Sequence, residues 1–301
     1  MSKLSIGVFA GVSLAFGVAQ AEPVKLKWKF EKGQNLNYRM TMDQAQKISG
    51  GGLPGEIEMT QKTVTDMNYK VQSVAEDGTA QLVVTTTAVK FNMANPMMGM
   101  NIAYDSTAGD EPTMETAGVA AMVGTSYTVW VDESGKVSKV EGIDEMMAKV
   151  LENTDPMTAQ MLEGMFNEET LTSQTEASFR VVPGEEVDTG DTWSVTTEQP
   201  MPSLGKLSIR STYEYNGMGS EKGHDGAIIG FNATPSFQAE PGAPMRMSLN
   251  SGDVKGKVVF SPTLGQIVHM ASKTSMNMGL SGQGMNMTMA MTINTTLELL
   301  D

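Results

Sequence analysis

The stretch Met285-Asn286-Met287-Thr288-Met289-Ala290-Met291-Thr292-Ile293-Asn294-Thr295-Thr296-Leu297-Glu298-Leu299 decides the fold. Met285, Met287, Met289, Met291, Ile293, Leu297 and Leu299 fall on odd positions, and Asn286, Thr288, Thr292, Asn294, Thr296 and Glu298 on even ones. Successive side chains of a strand point to opposite faces, so a period of two predicts a strand with one apolar and one wet face. Fully extended, the stretch spans roughly 50 Å, which exceeds an ordinary strand. It therefore bends or crosses the whole molecule.

The same alternation recurs upstream. Leu26, Trp28 and Phe30 alternate with charged residues, as do Leu36, Tyr38, Met40 and Met42 with polar ones, and Met67, Tyr69 and Val71 after them. Asp77-Gly78 turns the chain into the Val- and Thr-rich run Ala80–Phe91, and Tyr127–Asp132 with Lys136–Val140 forms a hairpin around Glu133-Ser134-Gly135. Residues 92–126, rich in Met, Gly, Pro, Asn and Asp, are expected to form a long mobile excursion with a short strand at Ile102–Asp105. Helical spacing occurs only mid-chain, over Ile143–Leu151 and after the Asp155-Pro156 start signal through Met165. Strands are expected again from Phe179. The fold class is mainly β: two antiparallel meander modules, half-barrel or sandwich-like, joined by a short helical block. The expected organisation is a signal peptide at 1–21, a first β module at 22–142, a helical connector at 143–176 and a second β module at 177–301.

The two modules share landmarks. Phe30-x-x-Gly33-x-x-Leu36-x-Tyr38 has the spacing of Val187-x-x-Gly190-x-x-Trp193-x-Val195. Tyr69-Lys70-Val71 corresponds to Tyr213-Glu214-Tyr215, and the hairpin Val129–Val137 around Gly135 to Val258–Ile267 around Gly265. Duplication and convergent meander turns both account for this.

Lys3, the apolar run Leu4–Val18 and the small-x-small triplet Ala19-Gln20-Ala21 form an export signal cleaved before Glu22. The expected location is periplasmic or secreted. No later apolar stretch is long enough for a membrane-spanning helix, and aromatic residues, at 6%, are too sparse for the girdles of a membrane barrel. The net charge of −14 disfavours nucleic acid and anionic lipid surfaces as partners. Without cysteine there is no disulfide, thiolate metal site or cysteine nucleophile.

No motif for catalysis, a cofactor or a metal emerges. His224 lies in a loop-like stretch and His269 in a strand, both read as surface residues, and zinc would need three or four ligands at ordered spacing. Gly279-Leu280-Ser281-Gly282-Gln283 fails the G-x-S-x-G pattern at its last place. The expectation is a non-enzymatic protein with no catalytic residue, metal or cofactor.

Methionine is the anomaly, at 27 residues of 301. Met93, Met97, Met98 and Met100 form one crowd, and Met276, Met278, Met285, Met287, Met289 and Met291 another. Soft thioethers suit Cu(I). The other 17 methionines are scattered, and the C-terminal ones alternate strictly, which favours apolar packing over copper. A flexible Met-lined concave face also accepts variable apolar ligands. On that reading Met93, Met97, Met98, Met100, Met285, Met287, Met289 and Met291 are the candidate ligand-binding residues, and 92–126 covers the mouth. The partner is then an apolar, lipid-like small molecule. The competing class is a structural or interaction protein of the cell envelope with a filled core.

Trp28-Lys29-Phe30-Glu31-Lys32-Gly33, Tyr104-Asp105-Ser106, Val129-Trp130-Val131-Asp132, Gly135-Lys136-Val137, Pro183 and Gly190-Asp191-Thr192-Trp193 together resemble a domain-of-unknown-function family of exported bacterial proteins. That resemblance implies no activity and no functional residues. At the level of fold the chain also resembles the concave half-barrel envelope carriers of the LolA-like group.

Overall fold

The computed structural model describes residues 22–53, 55–151, 168–201, 204–242, 245–282 and 284–300. Its strands are β1 Val24–Lys25, β2 Asn35–Gly50, β3 Ile57–Val74, β4 Ala80–Asn95, β5 Met100–Asp105, β6 Ser126–Val131, β7 Val137–Glu141, β8 Glu186–Val187, β9 Thr192–Met201, β10 Gly205–Glu221, β11 His224–Ala239, β12 Arg246–Ser261, β13 Gln266–Gly282 and β14 Met285–Leu300. The helices are α1 Ala117–Ala121, α2 Ile143–Leu151 and α3 Glu168–Phe179.

β14, the alternating methionine strand, is the keystone. It pairs antiparallel with β13 on one side and with β2 on the other, so the first and last long strands meet. The result is one 12-stranded sheet in the order β7-β6-β4-β3-β2-β14-β13-β12-β11-β10-β9, with β5 on β4. The two meanders are thus halves of a continuous sheet. Among the described residues the sheet does not close by hydrogen bonds. Helix α3 packs against both edge strands, β7 and β9, and spans the seam. Ser173 donates to the Glu198 carbonyl of β9 at 2.7 Å. A covered edge is also a protected one, because its backbone groups are no longer offered to another chain.

The correspondence between halves extends to backbone hydrogen bonds. Gly33 N–H donates to the Val71 carbonyl (2.9 Å) and Val71 N–H to Gln34 (2.9 Å), while Gly190 donates to Tyr215 (2.7 Å) and Tyr215 to Asp191 (3.0 Å). Both glycines hold φ near +90° (88° and 97°), where a side chain is strained. Strands β2, β3, β4, β6 and β7 match β9, β10, β11, β12 and β13 in order. After the fifth strand of each set, one connector joins the halves: α3 in the first case, β14 in the second.

One end of the sheet's inner face is filled. Leu26 and Trp28 are fully or almost fully buried among Leu82, Val129, Val131, Ile229, Val258 and Phe260. Trp28 stacks on Phe30 (6.0 Å), meets Phe179 and Phe260 edge-on (5.1 and 5.7 Å) and donates its indole N–H to the Phe179 carbonyl (2.8 Å). Gly135 makes room: a Cβ there would lie 2.0 Å from that same carbonyl oxygen. Tyr38 donates its hydroxyl to the Ile267 carbonyl (3.1 Å), and Gln266 its amide to the Lys29 carbonyl (2.6 Å).

Several expectations are corrected. Leu26–Phe30 alternates but is not a strand. Its amides go to three separate segments, Leu26 to Glu185, Trp28 to Glu133 and Lys29 to Gly265, so no ladder forms and the segment is a plug. The 92–126 region is more ordered than a long excursion. β4 runs on to Asn95, β5 folds back on it with Met93 opposite Ile102, and α1 follows. The chain at Phe179 is helical, since α3 continues to that residue, and β9 starts only at Thr192. The signal segment at 1–21 and the helix expected over 155–165 lie outside the described residues.

Candidate functional site

Cross-strand pairing assigns every strand residue to a face, and the inner face splits into two halves along the strands. The dividing row runs Trp193, Tyr213, Phe231, Gly256, Ser272, Thr295, Met42, Thr63, Phe91 and Tyr104, each opposite the next on ten successive strands. On the plug side of this row lies the filled core. On the other side the inner-face side chains of β2, β3 and β14 are mostly half-buried and alternate with more exposed neighbours, while β13 is half-buried on both faces.

Three rows build this open half on its central strands. The first is Gln61, Gln44, Ile293 and Thr274. The second is Met59, Gln46, Met291, Met276 and Gly252. The third is Ile57, Ile48, Met289, Met278 and Leu249. Beyond them Met287, Leu280 and Met247 form the rim. The β11–β12 ladder ends in the first row, at Ala233–Val254. Pro235, next on this face, has no N–H to extend it, and its ring lies 2.5 Å from where a Cβ on Gly252 would stand.

The candidate methionines fall into place unevenly. Met287, Met289 and Met291 share the inner face and are half-buried, whereas Met285, at the strand end, is 41% exposed. Its expected place among interior residues is therefore corrected: past Gly282 no further row covers it. Met93 faces inward opposite Gln61 and Ile102, and Met100 opposite the buried Asn95. Met97 is 51% exposed on the turn Pro96–Met98, and the side chain of Met98 is outside the described residues. The structure thus brings the C-terminal methionines into one lining with Met59, Met276 and Met278. It does not bring the 93–100 group to one point.

A polar belt crosses this lining. Gln44, Gln61, Thr63, Thr274, Ser272 and Thr295 occupy adjoining inner-face positions between the closed core and the methionine rows. Gln44 donates to the side-chain amide oxygen of Gln46 (3.3 Å), Gln61 to the Thr63 hydroxyl (3.2 Å), and Gln46 to the Met289 sulfur. In the dividing row on β9, the Trp193 indole N–H is buried without a hydrogen-bond partner among the described residues, its ring stacked on Tyr213 at 5.7 Å. Charge is sorted to the outside. Asp43, Lys47, Glu58, Lys62, Asp253, Lys255 and Lys273 all lie on the opposite face, paired across strands or in ion pairs such as Lys62–Asp43 (3.7 Å) and Lys47–Glu56 (3.1 Å). Among the described residues of the strands, no Asp, Glu, Lys or Arg faces inward in the open half.

Other features carry less chemistry. Two adjoining grooves of about 500 and 360 Å³ follow the open half, lined by inner-row residues such as Gln46, Met59, Met276 and Met291 together with their strand neighbours Ala45, Thr60 and Thr292. A polar cleft of about 610 Å³ lies between β6, β7 and α2, lined by Ser126, Thr128, Glu141, Asp144 and Lys149. His269 departs from the surface reading. It sits on the outer face yet is only 4% exposed, stacked flat on His224 at 5.3 Å, with both ring nitrogens lacking hydrogen-bond partners among the described residues. Burial and the adjacent His224 hold its pKa below 6.5, against the opposing pull of Glu298 and Glu221. His224 opens β11 after a two-residue turn in which Lys222 and Gly223 both have positive φ, 54° and 87°. No group of three His, Asp or Glu side chains is arranged to hold a metal among the described residues, and no helix among them is long and apolar enough to cross a membrane.

The fold defines a class: an open antiparallel half-barrel, plugged at one end and spanned along its seam by a helix. Residues 77–267 match a family of unknown function, DUF6263, and the chain belongs to that family. No curated protein sequence matches it significantly. Among solved structures it is similar to lipovitellin, described for its lipid–protein interactions, at 10% identity and a TM-score of 0.49, over 91% of this chain and 26% of that one. The chain therefore spans about a quarter of lipovitellin's length. It is also similar to DynF of the dynemicin biosynthesis pathway of Micromonospora chersina (9% identity, 96% and 92% of the two chains, TM-score 0.22). A third likeness is the translocator domain of the autotransporter NalP from Neisseria meningitidis (8% identity, 88% of each chain, TM-score 0.20). None of these likenesses carries a functional argument.

Proposed function

We propose that this is an exported, non-enzymatic protein that holds an apolar, chain-like ligand against the Met-lined inner face of its open half. One observation carries the reading: the same inner face is sealed by an aromatic plug at one end and half-exposed at the other, where it is lined by Met59, Met276, Met278, Met287, Met289 and Met291. Soluble proteins rarely leave a contiguous apolar surface of this kind without a use for it. Unbranched, polarisable methionines adapt to ligands of varied shape, as a lining should. The N-terminal Lys3, apolar run and Ala19-Gln20-Ala21 support export, and the absence of catalytic motifs supports binding over chemistry.

The test is titration of the exported protein, purified from its own host and stripped of lipid, with N-phenylnaphthylamine, a neutral dye that brightens in apolar surroundings. Saturable binding at one site is expected, lost in Met291→Asp while cooperative unfolding persists. Absence of saturable binding, or binding indifferent to Met291→Asp, contradicts the proposal.

A further inference from the structure

We propose that the ligand is an uncharged amphiphile, a long acyl chain on a neutral ester, amide or hydroxyl head, and that the facing pair Gln44 and Gln61 recognises that head. The inference rests on the reading of the open half as a ligand site and names what the site selects.

The first argument is charge. Among the described residues all the open-half strand charges point outward, so an anionic or cationic head inside would lie on a half-buried surface with no counter-charge from those strands. An unpaired ion taken out of water loses hydration that nothing in the lining replaces. A neutral head avoids that cost.

The second argument is the polar belt. A core that only needed filling would carry aliphatic residues in the rows of Gln44 and Thr295, as it does at Leu82 and Val129. Instead amides and hydroxyls cross four adjacent strands there. A primary amide carries two N–H donors and an oxygen with two lone pairs. Gln44 commits one donor to Gln46 and Gln61 one to Thr63. Both therefore keep capacity to donate to an ester carbonyl and to accept from a hydroxyl. The Trp193 indole N–H, buried in the dividing row and without a hydrogen-bond partner among the described residues, is a further donor in the interior. A mostly apolar lining with a few placed polar groups is the usual make-up of a small-molecule site.

The third argument is length. From Gln44 to Gly50 at the rim, β2 advances about 20 Å at ~3.3 Å per residue. That is the reach of a long acyl chain. With the head at the glutamines, the chain lies along Met291, Met276, Met289 and Met278 and leaves past Met287.

The experiment competes the bound dye with a monoacylglycerol and with the free fatty acid of the same chain, at neutral pH. The neutral lipid is expected to displace the dye at roughly tenfold lower concentration, a difference of about 1.4 kcal/mol. Gln44→Leu with Gln61→Leu should erase most of that preference, read as the ratio of the concentrations at which the two competitors displace the dye from the same variant. Gln61→Met alone is the fallback should the double variant not fold, with an intermediate loss of preference expected. Equal or better competition by the fatty acid, or a preference untouched by the glutamine variants, overturns this inference while the dye result keeps the site itself. Failure of the dye to bind overturns the underlying reading instead.

Discussion

The two ends of the same strands differ in what their inner face meets. On β2, Leu36 and Tyr38 are buried, while Gln44, Gln46 and Ile48, on the same face a few residues on, are half-buried. On β13 and β3 the change runs the same way, from buried Ile267 and Val71 to half-buried Met276 and Met59, whereas β14 is half-buried along its inner face up to the exposed Met285. Secondary structure and alternation do not change along these strands; the covering does. Trp28, Phe179 and the chain around them cap one end. The lesson is that an alternating strand establishes a face, and only the non-repetitive segments decide whether that face becomes a core or a surface for something else.

The comparison can be broken by substitution. The largest effect belongs to the plug: Trp28→Ala, which removes the stack on Phe30 and the indole hydrogen bond, should cost about 3–5 kcal/mol in urea denaturation. Leu82→Ala, at a fully buried position in the closed half, should cost about 2–5 kcal/mol. An effect at Met289→Ala as large as at Leu82→Ala would erase the distinction between halves. A cost below about 1 kcal/mol is expected at Met289, and less than about 0.5 at Thr288→Ala on the outer face.

A pH prediction sharpens the picture on the outer face. Burial and His224 depress the pKa of His269, with Lys222 adding to that effect, while Glu298 and Glu221 pull the other way. The unfolded chain therefore takes up the proton more readily than the folded one. The contribution is full above the ordinary value of 6.5 and is lost as pH falls below it toward the depressed folded value. The unfolding midpoint should drop on acidification from neutral, and His269→Phe should flatten that drop. An unaltered pH profile in the variant would show that His269 is not its source.

Much of the fold was legible in sequence because burial on one face imposes a period of two. Met287, Met289 and Met291 fall on the face their alternation implies, and the hairpin around Gly135 stands where its turn residues put it. The paired landmarks Gly33 and Gly190 proved to share a hydrogen-bonded turn. Closure was not legible. Nothing local in α3 says that it will span β7 and β9, since that depends on where two distant edges end up. Leu26–Phe30 misled because a plug crossing several partners alternates as a strand does. The glutamine belt was overlooked for the opposite reason: Gln44 and Gln46 sit in phase with Met40, Met42 and Ile48, yet being polar they end the apolar pattern that reveals a face. A reading that continued the phase through them would have found the belt. His269 was misplaced because stacking on His224 depends on tertiary register.

The most direct measurement inserts a charge at matched inner-face sites of the two halves and follows urea unfolding and dye binding together. A carboxylate forced into a filled core without a partner costs several kcal/mol. Leu82→Glu should therefore leave the protein unfolded or grossly destabilised. Met289→Glu should unfold cooperatively with a midpoint close to that of the natural protein, and should no longer bind the neutral dye. If Met289→Glu collapses as Leu82→Glu does, the open half is a core, and the binding face described here does not exist.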